Sequence, residues 1–272
     1  MNDFIASLGP ISSAVWGWLI IAVFMHFLWM WQKKTGRAGF VDVAWSIGTG
    51  LMAMGFCVVG SGHPQRRIVL GVLMGLWGLR LAVHLWKRLA REGEDGRYES
   101  YRQGRGQQKA DRFYMIFFQF QAIFALIFAS PILVAAFTPP NIEIQLLDYL
   151  GIGIWILALA GETLADNQLE RFRKNPENRG EVCRIGLWKY SRHPNYFFEW
   201  THWFAYVAIG WHGDWRFFTL IGPVAMLIFL FRITGIPITE KQALKSRGEK
   251  YKRYQEEVSV FIPWLPKNTK QE

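Results

Sequence analysis

The sequence predicts an all-α, polytopic membrane protein of seven transmembrane helices, with the N-terminus outside and the C-terminus in the cytoplasm. Three observations carry this. Of 272 residues, 51% are apolar, 16% aromatic and only 19% charged, which is a membrane composition. The apolar residues gather into seven runs near the ~20 residues needed to cross ~30 Å of hydrocarbon. The basic residues alternate between those runs.

The first run, 14–31, follows a segment that contains Asp3 and no Lys or Arg. It lacks the basic region of a cleaved signal peptide and is expected to remain in the mature chain. The second and third, 40–61 and 68–86, are apolar but carry Asp42 in one and Arg80 and His84 in the other. The fourth and fifth are 113–138 and 145–164. Within the latter, GIGIWILALAG (151–161) follows no strand, so its small residues read as a helix-packing surface, not a nucleotide loop. The sixth, 197–211, is short and holds Glu199 and His202; the seventh is 216–236.

Loops 32–39, 87–112 and 165–196 and the tail after 236 hold 26 of the 31 Lys and Arg residues. The positive-inside rule puts those segments in the cytoplasm. The net charge of +10 is therefore juxtamembrane and indicates topology and headgroup contact, not nucleic acid. It also suits an anionic cofactor. Cys57 lies in an apolar run and Cys183 in a basic loop, so no disulfide is expected. Without a linker or solenoid repeat, residues 1–272 read as a single membrane domain.

Asp42, Arg80, His84, Glu162, Asp166, Glu199, His202 and Arg232 lie in or at the edges of spans. A charge there costs ~2.5–3.5 kcal/mol on insertion scales, so each should face the bundle interior or a polar cavity. Arg80 and His84, one turn apart, could pair with Asp42 as a structural lock; the whole set together reads as a site. The six histidines form no metal box, and no metal is expected.

The stretch 161–200, GETLADNQLERFRKNPENRGEVCRIGLWKYSRHPNYFFEW, is the densest in polar chemistry. Pro194 biases His193 to extended backbone, so Arg192-His193 should form a turn and Asn195 should begin a helix. Such a helix start, with Arg192 beside it, suits a phosphate. Farther on, Glu240, Leu244, Arg247, Tyr251 and Tyr254 fall at spacings expected of one helix face. That stripe is either an amphipathic helix lying on the membrane or a lid over a cofactor.

GLWKYSRHPNYFFEW, the preceding ADNQ-x-x-x-F-R-K and the closing E-x-x-x-x-x-x-R-x-x-x-Y-x-x-Y…FIP resemble the C-terminal part of the steroid 5-alpha-reductase family, in particular its bacterial membrane branch. The match covers about 160–265 well and the N-terminal half loosely. The resemblance implies a seven-helix enzyme that uses NADPH to saturate a carbon–carbon double bond conjugated to a carbonyl in a hydrophobic lipid such as a 3-oxo-Δ4-steroid. It implies that residues 1–138 line the substrate pocket and that 139–272 bind the cofactor. The cofactor set it implies is Asp166, Arg173, Tyr190, Asn195, Tyr196 and Glu199, with Arg247, Tyr251 and Tyr254 from the tail; Arg192 and His193 belong to the bacterial form of the motif. RAGFVDVAW makes Asp42 the counterpart of a substrate-touching glutamate. Trp77 stands where the family has its steroid-binding tyrosine, three residues before Arg80. Indole cannot shuttle a proton near neutral pH, so His84 or Tyr98 could supply the acid.

The expected enzyme is thus a monomeric, multi-pass oxidoreductase of a bacterial inner membrane, its NADPH site cytoplasmic, with Asp42, Arg80, His84 and Tyr98 at the substrate end. R-H-P-x-Y followed by E…Y-x-x-Y…IP also resembles the isoprenylcysteine and phospholipid methyltransferases, which bind S-adenosylmethionine; these lack the ADNQ-x-x-x-F-R-K segment. A lipid-binding scaffold without turnover is the third reading.

Overall fold

The computed structural model describes residues 8–93, 98 and 106–267, and among these it contains helices and no strand. The long helices are α1 (Pro10–Thr35), α2 (Phe40–Val59), α3 (Pro64–Glu92), α4 (Gln107–Ala136) and α5 (Leu146–Lys174). Then come α6 (Pro194–Ile209), α7 (Ile221–Ile228), a π-helical turn Phe229–Ile233, α8 (Ile236–Arg247) and α9 (Glu249–Glu257). Proline at the first turn starts α1, α3 and α8, where its missing N–H costs no helical bond.

Among the described residues six helical segments are long and apolar enough to cross a membrane: α1 to α5 and the composite Arg216–Arg247. The count is six where the hydropathy pattern predicts seven. The difference is α6: its 16 residues rise only ~24 Å, short of the hydrocarbon thickness, and they include buried Glu199 and His202.

The chain forms two compact units, one comprising the chain as far as Asp148 with Tyr206–Gly222, the other Tyr149–Ala205 and the chain from Pro223 onward. In the first, α2 and α3 approach closely through glycine: a Cβ at Gly78 would lie 2.8 Å from the Ser46 carbonyl oxygen. Small residues permit such contact where lipid supplies no hydrophobic drive between helices. Trp45 completes this packing, edge-on to both Trp77 and Phe128. At one end Arg66, whose side chain is fully buried, binds Asp148 through Nε at 2.7 Å and Nη2 at 2.9 Å. Its remaining N–H groups reach the carbonyls of Ile142 and Glu143. This bidentate pair satisfies a charge that would be costly alone.

In the second unit, Gly161 of α5 packs beneath the Phe198 ring of α6, which a Cβ would meet at 2.5 Å. Within the Gly-rich run Gly161 packs as the apolar setting predicts, whereas Gly153 has nothing within 4 Å of where a Cβ would be. The tail folds around Ala243, Tyr251, Tyr254 and Val258, with Val182 against them.

Two expectations change in this region. The stripe from Glu240 to Tyr254 is two helices, not one, because Gly248 takes a left-handed φ of 54° between α8 and α9. That break resets the helical phase and leaves Leu244 outside the buried face. Arg232, expected to face the bundle interior, is exposed in the π-helical turn. There the regular helix ends and the charge can reach water or headgroups.

Candidate functional site

In the second unit the site is built on the Ser191–Asn195 turn and the two tail helices. Helix α6 begins at Pro194, one residue before the position the sequence suggests. Arg192 points to the tail: Nε donates to Glu240 Oε1 at 2.7 Å, and Nη1 donates to the carbonyls of Gln255 (2.8 Å) and Val258 (2.7 Å). Its own backbone N–H donates to the Ser259 carbonyl at 2.8 Å. Glu240 also accepts from Gln255 Nε2 at 2.8 Å, and His193 Nε2 lies 3.3 Å from Oε1. The His193 ring stacks on Tyr196, whose hydroxyl is 3.4 Å from Thr239 Oγ1.

Burial holds His193 below the ordinary histidine value, outweighing the pull of Glu240 in the other direction. The imidazole is therefore neutral near pH 7, which leaves Arg192 as the cation that balances Glu240 in a pocket where both side chains are less than one-sixth exposed. Tyr254 anchors the other side of the turn, donating to the Trp188 carbonyl at 2.5 Å. Arg184 lies over its ring. Burial raises both Tyr251 and Tyr254 above the usual phenol range, so both are neutral donors. Arg247 donates through Nε to the Glu181 carbonyl at 2.9 Å, and Lys250 pairs with the Glu181 carboxylate.

Asn195 and Asp166 meet across α5 and α6, Nδ2 donating to Oδ1 at 3.1 Å. Asn195 Oδ1 is buried with no hydrogen-bond partner. A buried amide acceptor in that state normally costs about 1–3 kcal/mol, and a ligand hydroxyl or N–H would satisfy it. Arg173, Lys174 and Arg179 are exposed at and just beyond the end of α5. Glu199 is buried one turn below Asn195, its carbonyl 2.6 Å from His202 Nδ1. Tyr190 is 38% exposed.

The structure thus joins Arg192 and His193 to the tail through Glu240 and Tyr196 through Thr239, joins Asp166 to Asn195, and turns Arg247, Tyr251 and Tyr254 to tail packing. Ser191 and Gln255 are members that sequence reading passed over. Ser191 Oγ donates to the Phe261 carbonyl at 2.7 Å and accepts from the His193 N–H; a serine two residues before His193-Pro194 is the signal by which it could have been found.

In the first unit Tyr98 and Asp42 form a direct pair, the phenol donating to Oδ1 at 2.8 Å. Tyr98 is 2% exposed, and its carbonyl accepts from the Tyr114 hydroxyl at 2.6 Å. Asp42 stands in the first turn of α2. Arg80 and His84 lie half-buried on α3, one turn apart, beyond the fully buried Trp77. One partner of Asp42 is thus a tyrosine from outside the spans, reached across 56 positions of sequence. Among the described residues no group of three or more His, Cys, Asp or Glu side chains is arranged to hold a metal ion.

A family model described as "Protein of unknown function (DUF1295)" matches residues 28–258. The chain is 24% identical over 295 aligned positions to the uncharacterized protein C594.04c of Schizosaccharomyces pombe, covering 97% of this chain and 82% of that one. It is 29% identical to the uncharacterized protein C9.08c of the same yeast over 43% of this chain and 44% of that one. Both relatives are eukaryotic, so neither supports the bacterial branch suggested by the Arg192-His193 motif. No solved structure matches the chain. Since the family model spans most of its length, the chain belongs to the DUF1295 family, a steroid 5-alpha-reductase-like family.

Proposed function

We propose that the protein is an NADPH-dependent membrane reductase that saturates a carbon–carbon double bond conjugated to a carbonyl in a hydrophobic lipid. The observation that carries this reading is the buried Tyr98–Asp42 pair, because it supplies the acid that Trp77 cannot. The phenol carries one O–H, so it serves a carbonyl oxygen on which negative charge develops by exchanging its bond to the carboxylate for one to the substrate. Asp42 orients the phenol, and α3 contributes Arg80 and His84 to the same unit.

The second unit suits the cofactor. The unpartnered Asn195 Oδ1 and the neighbouring Asp166 carboxylate accept hydrogen bonds, as ribose hydroxyls or an amide would require. Arg173, Lys174 and Arg179 offer cations to phosphates that together carry roughly four negative charges. NADPH, when bound, supplies the hydride for the β-carbon. The chain's residues do the rest: Tyr98 donates to the carbonyl oxygen as the β-carbon takes the hydride, and the enolate that results takes a proton from solvent at the α-carbon to give the saturated carbonyl compound. The Arg192–Glu240 clamp holds the tail in place and is a positioning element.

In this reading the Lys- and Arg-rich segments face the cytoplasm, and the short α6 serves as a seventh crossing in a locally thinned bilayer. The substrate enters laterally from lipid.

The test is incubation of the detergent-purified protein with deuterium-labelled NADPH and two enones, a 3-oxo-Δ4-steroid and a non-steroidal lipid enone. A product gaining two hydrogens, one of them the cofactor's deuterium, supports the reading. Failure of both substrates, with methyl transfer from S-adenosylmethionine to a lipid instead, would replace it with the methyltransferase reading.

A further inference from the structure

The tail after α9 has a feature that the reductase reading leaves unused. Residues 259–267 are non-helical yet firmly held. Phe261's carbonyl accepts from Ser191 Oγ, Trp264 N–H donates to the Tyr190 carbonyl at 2.9 Å, and Lys267 N–H donates to the Glu257 carbonyl at 2.8 Å. The Phe261 ring is buried against Phe197, Trp200 and Phe231. Between these anchor points, Ile262, Trp264 and Leu265 are 57%, 73% and 73% exposed.

Single exposed apolar side chains are ordinary, but a rigid segment that presents three together marks an interaction surface. Its setting identifies the partner. Phe231, which Phe261 touches, lies in the π-helical turn that closes α7 before the bend at Thr234-Gly235, partway along the composite span, and Val224, Ile228 and Ile233 of the same segment are exposed. The three tail side chains therefore continue a lipid-facing surface beyond the end of α7. Arg232 is exposed at that same turn, and Lys189 and Lys267 are exposed on either side of the segment. Tyr190, Pro263, Trp264 and Leu265 line an open apolar groove of about 320 Å³. Aromatic and aliphatic groups beside cations at the end of a span form the chemistry of the membrane–water interface.

We propose that Ile262–Leu265, with Arg232, is an interfacial anchor that inserts into the headgroup boundary of an anionic bilayer and seats the tail helices on the membrane surface. The anchor fixes the turn that carries Arg192 and His193, since the two are joined through Ser191 and Tyr190. The inference rests on the membrane character of the span and is independent of whether the protein reduces enones.

The experiment places a fluorophore at Leu265→Cys in the full chain, reconstituted in nanodiscs; Cys57 and Cys183 are buried and resist labelling, which unsubstituted protein verifies. Lipids brominated high on the acyl chain are expected to quench most of the emission, more strongly in phosphatidylglycerol than in phosphatidylcholine. Aqueous iodide is expected to quench little. Full quenching by iodide with none by bromolipid would overturn the proposal, as would concentration-dependent excimer emission from a pyrene label, which would assign the surface to a second copy of the chain. Equal quenching in the two lipids would overturn the requirement for anionic headgroups. Trp264→Cys provides a second labelling site on the same surface.

Discussion

The Tyr98 hydroxyl donates a 2.8 Å hydrogen bond to Asp42, bringing a buried phenol and a carboxylate at the start of a span into one unit. Tyr98→Phe removes the donor and leaves a half-buried carboxylate oxygen without it. Loss of about 1–3 kcal/mol of stability is expected. On the reductase reading, turnover falls by roughly 10²–10⁴-fold while stabilisation by NADPH is unchanged. Steady-state rates and cofactor-dependent melting, measured on one preparation, separate the two effects.

Arg192 is the residue on which tail docking depends. Arg192→Ala takes from Glu240 the cation that balances it in a largely buried setting, leaving it Gln255 and neutral His193, and breaks two bonds to tail carbonyls. Such a loss costs about 3–5 kcal/mol where one partner of a buried pair is removed. Limited proteolysis should then cut between α8 and the C-terminus far faster than in the unaltered protein. Arg192→Lys should rescue little, since an ammonium cannot make the forked contacts.

His193 gives the protein a pH signature. Its folded value lies below the ordinary 6.5 because of burial, so the unfolded chain binds a proton at pH values where the folded chain does not. Stability is then complete above 6.5 and falls as pH drops from there toward the depressed folded value. Melting temperature measured from pH 7.5 down to 5 should decline. His193→Gln should flatten that part of the profile, leaving any decline due to carboxylates.

Two glycines should respond in opposite ways. At Gly78 a Cβ would sit 2.8 Å from the Ser46 carbonyl oxygen, so Gly78→Ala must push α2 and α3 apart and should cost about 1–3 kcal/mol. Gly153 has nothing within 4 Å of a Cβ. Gly153→Ala should be neutral or stabilising by about 0.5–1 kcal/mol through helix propensity. Thermal unfolding of both variants in detergent checks the contrast.

Hydropathy made the long helices legible because a span must be apolar over its whole length. It reads a seventh span at α6, where an apolar stretch of the right composition is cut short by Pro194 at one end and the turn after Ile209 at the other. The Arg192, His193 and Tyr196 cluster was legible because the residues are contiguous. Its partner Glu240 was visible only as one member of a stripe, since nothing in spacing says which helix a stripe faces. The Gly248 break is not legible in the sequence because glycine is tolerated in helices, and only its positive φ makes it a terminator. Tyr98 stood as one of two candidate acids; the sequence could not say which one folds back onto Asp42.

The central claim, a cofactor site specific for NADPH, is tested most directly by thermal stability of the purified protein with NADPH, NADH and S-adenosylmethionine added separately. A ligand that binds only the folded state at a hundred times its Kd stabilises by about 2.7 kcal/mol. A rise in melting temperature is expected with NADPH, a smaller one or none with NADH, and a diminished NADPH response in Asn195→Ala. A rise with S-adenosylmethionine and none with NADPH would contradict it.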